Sequence, residues 1–138
     1  MKFKKFDKSQ KSTFGYWFWH WFAFNYTAFK LKVWQPKYLF HDIEKPWLKL
    51  IWKDYVKVHN YHRNHSNHHL EYGRINGWNK MDWQAAIIDW ECSNLTKSFA
   101  QLNARQTIDK QLNKPTLTNE EKSIIKLNCY KVLDKLGL

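Results

Sequence analysis

The stretch FGYWFWHWFAFNYTAF, Phe14 to Phe29, decides what kind of fold this chain can adopt. It is almost entirely aromatic and apolar, yet it carries His20 and Asn25 in its middle. As a helix, its 16 residues would rise about 24 Å, which is short of the roughly 30 Å hydrocarbon core of a bilayer. We therefore expect a buried core helix and no membrane span, with both polar side chains facing polar groups inside the fold.

Helical signals continue on both sides of this stretch, and no alternating strand pattern interrupts them. We predict an all-α, single-domain bundle of about five helices over residues 1–138, in which residues 1–11 are a basic tail that frays at its start. The predicted helices run from a cap at Ser12 or Thr13 to about Val33, briefly after Pro36, from the first turn at Pro46, from Met81 or Asp82 to about Ala104, and from the capping box of Thr118 and Glu121 to Gly137.

The third predicted helix carries apolar residues at spacings of three and four. These are Trp47, Leu50, Ile51, Tyr55 and Val58. Such a stripe is typical of an amphipathic helix that buries one face against its neighbours. The sequence therefore predicts one helix that continues from Pro46 toward the histidine-rich segment, before the loop at residues 73–79.

The chain is strongly basic, with 23 Lys and Arg against 12 Asp and Glu and a net charge of +11. A basic surface attracts phosphate-rich partners such as nucleic acids, nucleotides and anionic lipids. Only Arg63, Arg74 and Arg105 are arginines, whereas sequence-specific DNA readers usually rely on Arg. A Lys- and Asn-rich chain also arises from biased base composition, so the charge leaves a nucleic-acid partner open.

The two cysteines, Cys92 and Cys129, are far apart and form no CxxC pair. A disulfide framework would need more of them, so we predict two reduced thiols in a cytoplasmic protein. The N-terminus lacks a small-residue cleavage site, and no signal peptide is predicted.

The stretch HNYHRNHSNHH, His59 to His69, holds five of the seven histidines. On an unbroken helix, His62 and His69 point within about 20° of each other and His65 lies about 60° to one side, whereas His68 points away. If the helix ends near Asn64, His68 or His69 can instead turn inward from a loop. Each histidine alone is compatible with a solvated surface position, but so dense a cluster suggests metal ligands.

Two further sites strengthen the metal hypothesis. His41 and Asp42 place an imidazole beside a carboxylate, and Asp89 is flanked by apolar neighbours on the fourth predicted helix. With His20 on the first helix, four helices would each direct a ligand inward, as in helix-bundle metal sites. Histidine and carboxylate ligands suit Mn, Fe, Ni, Co or Zn, and the sequence does not choose among these divalent ions.

Together these pieces resemble a family. His20, then HDIEK (His41 to Lys45), then HRNHSNHHLEY, then Met81 followed by Asp89-Trp90, are similar to the pattern of an uncharacterised family of small phage and bacterial proteins, a domain of unknown function. That family is related to the HD-domain metal-dependent phosphohydrolases, and the resemblance covers roughly residues 16–95. Two positions depart from the pattern: Ala85 and Ala86 stand where the family usually has a Glu, and Asp82 stands at its Pro.

The resemblance implies an HD-like bundle that hydrolyses a phosphorylated small molecule or nucleotide. It implies that metal is held by His41 and Asp42 most directly, and then by His62, His68 or His69, Asp89 and His20. Lys45 matches the lysine that lies next to the phosphate in related hydrolases. A histidine outside the ligand set, with His65 or His59 as candidates, would protonate the leaving oxygen.

Two alternatives remain open from the sequence. One is a non-catalytic nucleic-acid-binding protein, whose lysines contact phosphate and whose exposed aromatic rings stack on bases. The other is a degenerate HD-like fold that binds metal, or nothing, and serves as an interaction protein.

Overall fold

A computed structural model describes residues 2–138, which form seven α-helices and no strand. The helices are α1 (Phe14–Lys30), α2 (Glu44–Trp52), α3 (Tyr55–His65), α4 (Leu70–Asn76), α5 (Trp83–Thr96), α6 (Ala104–Leu112) and α7 (Asn119–Leu136), with short 3-10 turns at Lys8–Gln10, Pro36–Phe40 and Trp78–Lys80. The all-α prediction is confirmed, whereas the prediction of about five helices is too low.

The first core lies between α1 and α5. Small residues on both helices let them approach closely, and Phe24 of α1 is fully buried among them. The predicted helix from Phe14 to Phe29 is present, but only one of its faces is buried, since Phe14 and Phe29 are 63% and 75% exposed. Within residues 2–138, every helix is too short or too polar to cross a bilayer.

The second core lies on the opposite side of α5, where α6 and α7 pack against it. Ile87 points into this second core, while its neighbour Ile88 points into the first. Because α5 is covered on two sides, the residue that follows Ile87 and Ile88 in the helix is also buried. Asp89 is accordingly 9% exposed.

The third predicted helix is broken into two. Lys53 adopts a left-handed backbone (φ 53°) at the end of α2, and the Asp54 side chain caps α3 by accepting from the backbone N–H of Val56 at 3.1 Å. The prediction that this helix buries its apolar stripe is wrong for α2, because Leu50 and Ile51 are 68% and 71% exposed. Residues spaced by three and four share one face only while the helix axis is continuous. The turn at Lys53 changes the direction of that axis.

The segment between α5 and α6 corrects a second boundary. The sequence predicts a helix to about Ala104, but α5 ends at Thr96 because the chain there pairs with the N-terminal segment. Phe6 N–H donates to the Thr96 carbonyl (2.8 Å), and Ser98 N–H donates to the Phe6 carbonyl (2.9 Å). Phe6 is buried, so the residues predicted as a basic tail are anchored from at least this point.

Gly73 gives a direct test of the packing beneath α4. A Cβ added there would lie 2.7 Å from Trp78 Cε3 and 2.8 Å from Met81 Sδ. We expect Gly73→Ala to lower the free energy of unfolding by about 1–3 kcal/mol, since overpacking outweighs the gain in helix propensity.

Gly15→Ala is the matched control for Gly73→Ala. Its added Cβ would meet only Phe6, at 3.7 Å, an ordinary contact distance. Because Ala favours a helix more than Gly does, this change should raise the free energy of unfolding by up to about 1 kcal/mol. Urea unfolding of both variants measures the difference, and equal effects would contradict the packing described here.

Candidate metal centre

Three side chains of α1 hold the loop that precedes α2. Trp17 Nε1 donates to the Asp42 carbonyl (2.8 Å), and Trp21 Nε1 donates to the Leu39 carbonyl (2.9 Å). Asn25, whose polar partner the sequence left unidentified, donates from Nδ2 to the Tyr38 carbonyl (3.1 Å). Two indole N–H groups and one side-chain amide of α1 therefore position the loop that carries His41 and Asp42. These positioning roles were not predicted from the sequence. The density of Trp in α1 was a usable signal, because a buried indole N–H usually finds a hydrogen-bond acceptor.

Asp42 occupies an unusual backbone conformation. Its φ is 56°, in the left-handed region that Asp tolerates better than most residues but still at a cost. The Trp17 hydrogen bond holds this conformation. The buried carboxylate is thereby directed toward the centre of the fold, and a strained backbone of this kind is common at functional sites.

Asp89 of α5 meets two histidines. Its Oδ1 lies 2.9 Å from His20 Nε2 and 3.1 Å from His41 Nε2. The His41 ring also stacks on Phe24 with their centroids 3.6 Å apart, which fixes its orientation. The first half of the centre therefore joins α1, the loop before α2, and α5.

The end of α3 supplies the second half. α3 ends at His65, and Ser66 has an extended backbone, so the chain turns before α4. His62 Nε2 lies 3.0 Å from Asp42 Oδ1, and His68 Nε2 lies 3.2 Å from the same oxygen. The break in the helix therefore brings in His68, which an unbroken helix would have pointed away.

Seven predicted metal ligands converge as two adjoining groups. One comprises His20, His41, Asp42 and Asp89, and the other comprises His62, His68 and His69. Within each group, the donor atoms lie within 4.8 Å of one another. Since Asp42 Oδ1 also reaches His62 and His68, this carboxylate connects the two groups.

Several buried donor atoms in this centre make no hydrogen bond of acceptable geometry within residues 2–138, although His62 Nε2 and His68 Nε2 lie 3.0 and 3.2 Å from Asp42 Oδ1. They are His20 Nδ1, Asp42 Oδ1, His62 Nε2, His68 Nε2 and His69 Nε2. Unpaired buried polar atoms are rare and call for an explanation. His62 Nε2 and His68 Nε2 both face Asp42 Oδ1, so these three atoms fit a cation that they would share.

The electrostatics of the centre favour a bound cation. Burial alone would raise the pKa of Asp42, but His41 and Lys45 outweigh burial and hold it well below its usual range. Burial likewise opposes ionisation of Asp89, yet hydrogen bonds from His20 and His41 keep its pKa well below normal. Both carboxylates are therefore anionic at neutral pH.

The histidines are not equivalent in charge. Burial lowers the pKa of His41 to about 4, and burial together with His68 lowers that of His69 well below normal. These rings are neutral at pH 7, which is the form that binds metal. For His62, burial acts in the same direction, but Asp42 outweighs it and raises the pKa. Binding a metal through His62 would therefore release its proton.

Glu44 is a further member of the centre, and it was not predicted from the sequence. Its Oε1 makes a short contact with His62 Nδ1, on the side of the ring opposite Asp42. A carboxylate behind a ligand histidine fixes its tautomer and orientation. The signal was present in HDIEK, where a second carboxylate stands two residues after Asp42.

The three residues proposed for acid or phosphate-binding roles lie at different depths. Lys45 Nζ is 2.9 Å from Asp42 Oδ2 at the edge of the centre. His65 is exposed, donates from Nδ1 to the Tyr61 carbonyl, and lies outside both ligand groups. His59 lines the approach to the centre, where burial lowers its pKa to about 4. Since its pKa is lowered, His59 is a neutral ring and a poor general acid at pH 7, whereas His65 lines the smaller pocket that also reaches Asp42.

A large groove opens onto the centre. Its volume is about 1460 Å³, and Asp42, His20, His69 and Asp89 lie on its wall. Its lining includes eight lysines and two arginines: Lys8, Lys11, Lys45, Lys49, Lys53, Lys97, Lys110, Lys114, Arg63 and Arg74. A second, smaller pocket of about 310 Å³ reaches His41, Asp42 and His68 from the other side. The centre is therefore accessible, although its ligands are buried.

Comparison with protein-family models, with curated proteins and with solved structures returns no match to this chain. The geometry alone defines a class of site: buried histidines and aspartates, at the junction of several helices, in an arrangement that could hold a metal ion.

The Glu44–His62 contact makes a prediction about metal affinity. We expect Glu44→Gln to weaken binding of a divalent ion by about 10–100-fold, since the amide no longer supports the His62 ring electrostatically. Isothermal titration with Mn²⁺ or Co²⁺ measures the change. Glu120→Gln, on the exposed first turn of α7, is the matched control and should bind metal as the unmodified protein does. Unchanged affinity in Glu44→Gln would contradict the role given to Glu44.

Proposed function

We propose that this protein is a metal-dependent phosphohydrolase of the HD type, acting on a phosphorylated small molecule or nucleotide. One observation carries the proposal: the buried carboxylate of Asp42 faces two imidazole nitrogens, His62 Nε2 and His68 Nε2, that have no other partner among residues 2–138. Such a donor set is costly to bury without a cation.

The donors match a particular class of metal. Imidazole nitrogen with a few carboxylate oxygens suits Mn, Fe, Co, Ni or Zn, whereas Mg and Ca prefer sites made of oxygen alone. A divalent ion of this class acts as a Lewis acid that activates water near neutral pH. Two adjoining ligand groups joined by Asp42 support a centre for two ions.

The surrounding residues support hydrolysis at phosphorus. Burial lowers the pKa of Lys45, but the Asp42 carboxylate outweighs burial and raises it, so the ammonium stays charged at the edge of the groove. There it can pair with phosphate oxygens as negative charge develops on them. The leaving oxygen then takes its proton from solvent or from His65, which lines the smaller pocket beside Asp42.

The relation to the HD-domain family rests on the sequence pattern. Ala85 and Ala86, which stand where that family usually has a Glu, are both buried in α5 and offer no carboxylate. Glu44 is a carboxylate that contacts the centre from another direction and supports His62. We propose on this basis that the centre is complete enough for catalysis, and that the protein acts in the cytoplasm with Cys92 and Cys129 reduced, as both are free here.

A non-catalytic binding protein on the same fold is the second candidate. The observation that favours it is the basic groove, whose cations far outnumber its three carboxylates, Asp42, Glu71 and Asp89. Under this alternative, metal would bind without turnover, and the loss of Asp42 would leave ligand binding intact.

The test is elemental analysis of the purified protein, followed by hydrolysis assays with Mn²⁺, Ni²⁺ or Co²⁺. The panel should contain p-nitrophenyl phosphate, bis(p-nitrophenyl) phosphate and nucleoside mono-, di- and triphosphates. We expect stoichiometric metal and metal-dependent release of phosphate or alcohol. Stoichiometric metal without hydrolysis of any phosphoester would favour the binding protein, and failure to bind any divalent ion would overturn the phosphohydrolase.

A further inference from the structure

The groove is larger than a small phosphorylated substrate would fill. Pockets for small molecules typically enclose about 300–1,000 Å³, whereas this groove encloses about 1460 Å³. It runs from the metal centre past α2 and α3 to Lys110 and Lys114 on and just after α6. A mononucleotide would fill only the part next to the centre.

The charge of the groove is largely unneutralised. Of its ten cationic side chains, only Lys45, Arg63 and Arg74 form an ion pair with a carboxylate within residues 2–138. Burial and the nearby Lys97 lower the pKa of Lys11, which shows that these cations repel one another. A string of phosphates would relieve that repulsion along the length of the groove, which one phosphate group would not do.

Aromatic rings stand beside these lysines and are exposed to solvent. Phe14, at the start of α1, is 63% exposed, and Trp47 of α2 is 65% exposed, and both line the groove. Large exposed rings in a basic groove are the usual platform for unpaired bases, because every base presents a flat π-face. In a duplex, those faces are already stacked and are not available.

We propose that this groove binds single-stranded nucleic acid, with its phosphates along the lysines and its bases against Phe14 and Trp47, and presents a phosphodiester to the metal centre. Lysines outnumber arginines eight to two in the lining. Lysine acts as a point charge on phosphate and offers no bidentate fork to bases. Binding is therefore expected to depend little on sequence.

The cleavage step deepens and rests on the function proposed above, whereas the binding step stands without it. In that step, the oxygen of a water molecule forms a bond to phosphorus and the bond from phosphorus to one sugar oxygen breaks. One proton of the water ends on the leaving oxygen. The products are a terminal phosphate monoester and a free hydroxyl, and no redox partner is needed.

Fluorescence anisotropy with a labelled oligothymidylate of about 20 nucleotides, longer than a typical single-strand site, tests the binding step. The full-length protein is titrated in chelator, so that cleavage cannot intervene, and circular dichroism verifies that it stays helical. We expect binding that weakens steeply with salt and exceeds that of the matching duplex and of thymidine triphosphate by about tenfold or more.

Two variants locate the site. The double variant Lys110→Glu, Lys114→Glu lies on the groove and outside both ligand groups, and we expect it to weaken binding by about tenfold or more. Its control is Lys126→Glu, Lys131→Glu, the same change of charge on exposed positions of α7 outside the groove. Trp47→Ala removes only an exposed ring and should weaken binding by about tenfold without loss of fold.

The outcomes separate this inference from the proposed function. Hydrolysis of bis(p-nitrophenyl) phosphate without oligonucleotide binding would overturn the inference alone, and oligonucleotide binding without hydrolysis of any phosphoester would overturn the proposed function alone. Equal loss of binding in the groove variant and in the α7 control would also overturn the inference. So would binding to phosphatidylcholine–phosphatidylserine vesicles but not to the oligonucleotide, or equal affinity for thymidine triphosphate.

Discussion

We expect Asp42→Asn to abolish metal-dependent hydrolysis and to reduce metal affinity by at least about 100-fold, because Asp42 is the one carboxylate within residues 2–138 that contacts both ligand groups. The amide keeps the size of the side chain but loses the negative charge that four surrounding imidazoles share. Removing an outer support of a metal ligand costs about 10–100-fold, and removing a central ligand should cost no less.

The fold should tolerate this substitution better than the site does. Asn also accepts a left-handed backbone, so the φ of 56° at position 42 is retained, and the Trp17 hydrogen bond to the backbone carbonyl is unaffected. Circular dichroism should show an unchanged helix content. Calorimetric titration with Mn²⁺ and steady-state assays on the best phosphoester of the panel then measure affinity and rate.

A matched control distinguishes this effect from general loss of charge. Asp134→Asn makes the same chemical change at an exposed position of α7, and it should leave both affinity and rate unchanged. Retained hydrolysis in Asp42→Asn would show that the centre described here is not the site of catalysis.

We expect the metal-free protein to become less stable as the pH falls from about 7 to 4. His41 has a pKa of about 4 when folded and about 6.5 when unfolded, so in this range only the unfolded chain takes up a proton. This one residue accounts for about 3 kcal/mol that is present above pH 6.5 and lost as the pH falls through that window. His59, whose pKa is also lowered to about 4, and His69 act in the same direction.

Other groups do not cancel this trend. The pKa of His62 is raised, so its contribution is fully present below pH 6.5 and is lost only as the pH rises. The pKa values of Asp42 and Asp89 lie well below normal, so their contributions persist until the pH falls below about 4. Within the window from 6.5 to 4, the lowered histidines therefore dominate.

Urea unfolding of the chelated protein at a series of pH values measures this dependence. His41→Asn removes one titrating ring and should flatten the curve between pH 6.5 and 4. Added metal should raise stability most at pH 7, where the ligands are deprotonated, and least at pH 4. A stability that does not change between pH 7 and 4 would mean that these rings are not buried in the neutral form.

The histidine-rich segment shows how far local patterns reach. A helical wheel places His62 and His69 together, and the structure brings both into one group. It cannot say whether the helix continues, and the position of His68 depends on that. The extended backbone at Ser66 ends α3 and turns His68 toward Asp42. A one-residue change in the end of a helix redirects every side chain after it.

The apolar residues of α2 show the opposite case. Trp47, Leu50 and Ile51 have the spacing of a buried face, but the structure leaves them exposed. Periodicity identifies which residues share a face, but not whether another element covers it. Here the turn at Lys53 sends α3 in a new direction.

The sequence by itself determined the helical class, the buried helix around His20, and the residue types of the centre, since periodicity, capping residues and ligand chemistry are local properties. The tertiary structure alone decided that α5 is covered on two sides, so that Asp89 is buried beside His20 and His41. It also decided that Trp17 holds Asp42 and that Glu44 supports His62. These contacts join residues distant in sequence or separated by turns, and their geometry follows from how the helices pack, which no local pattern specifies.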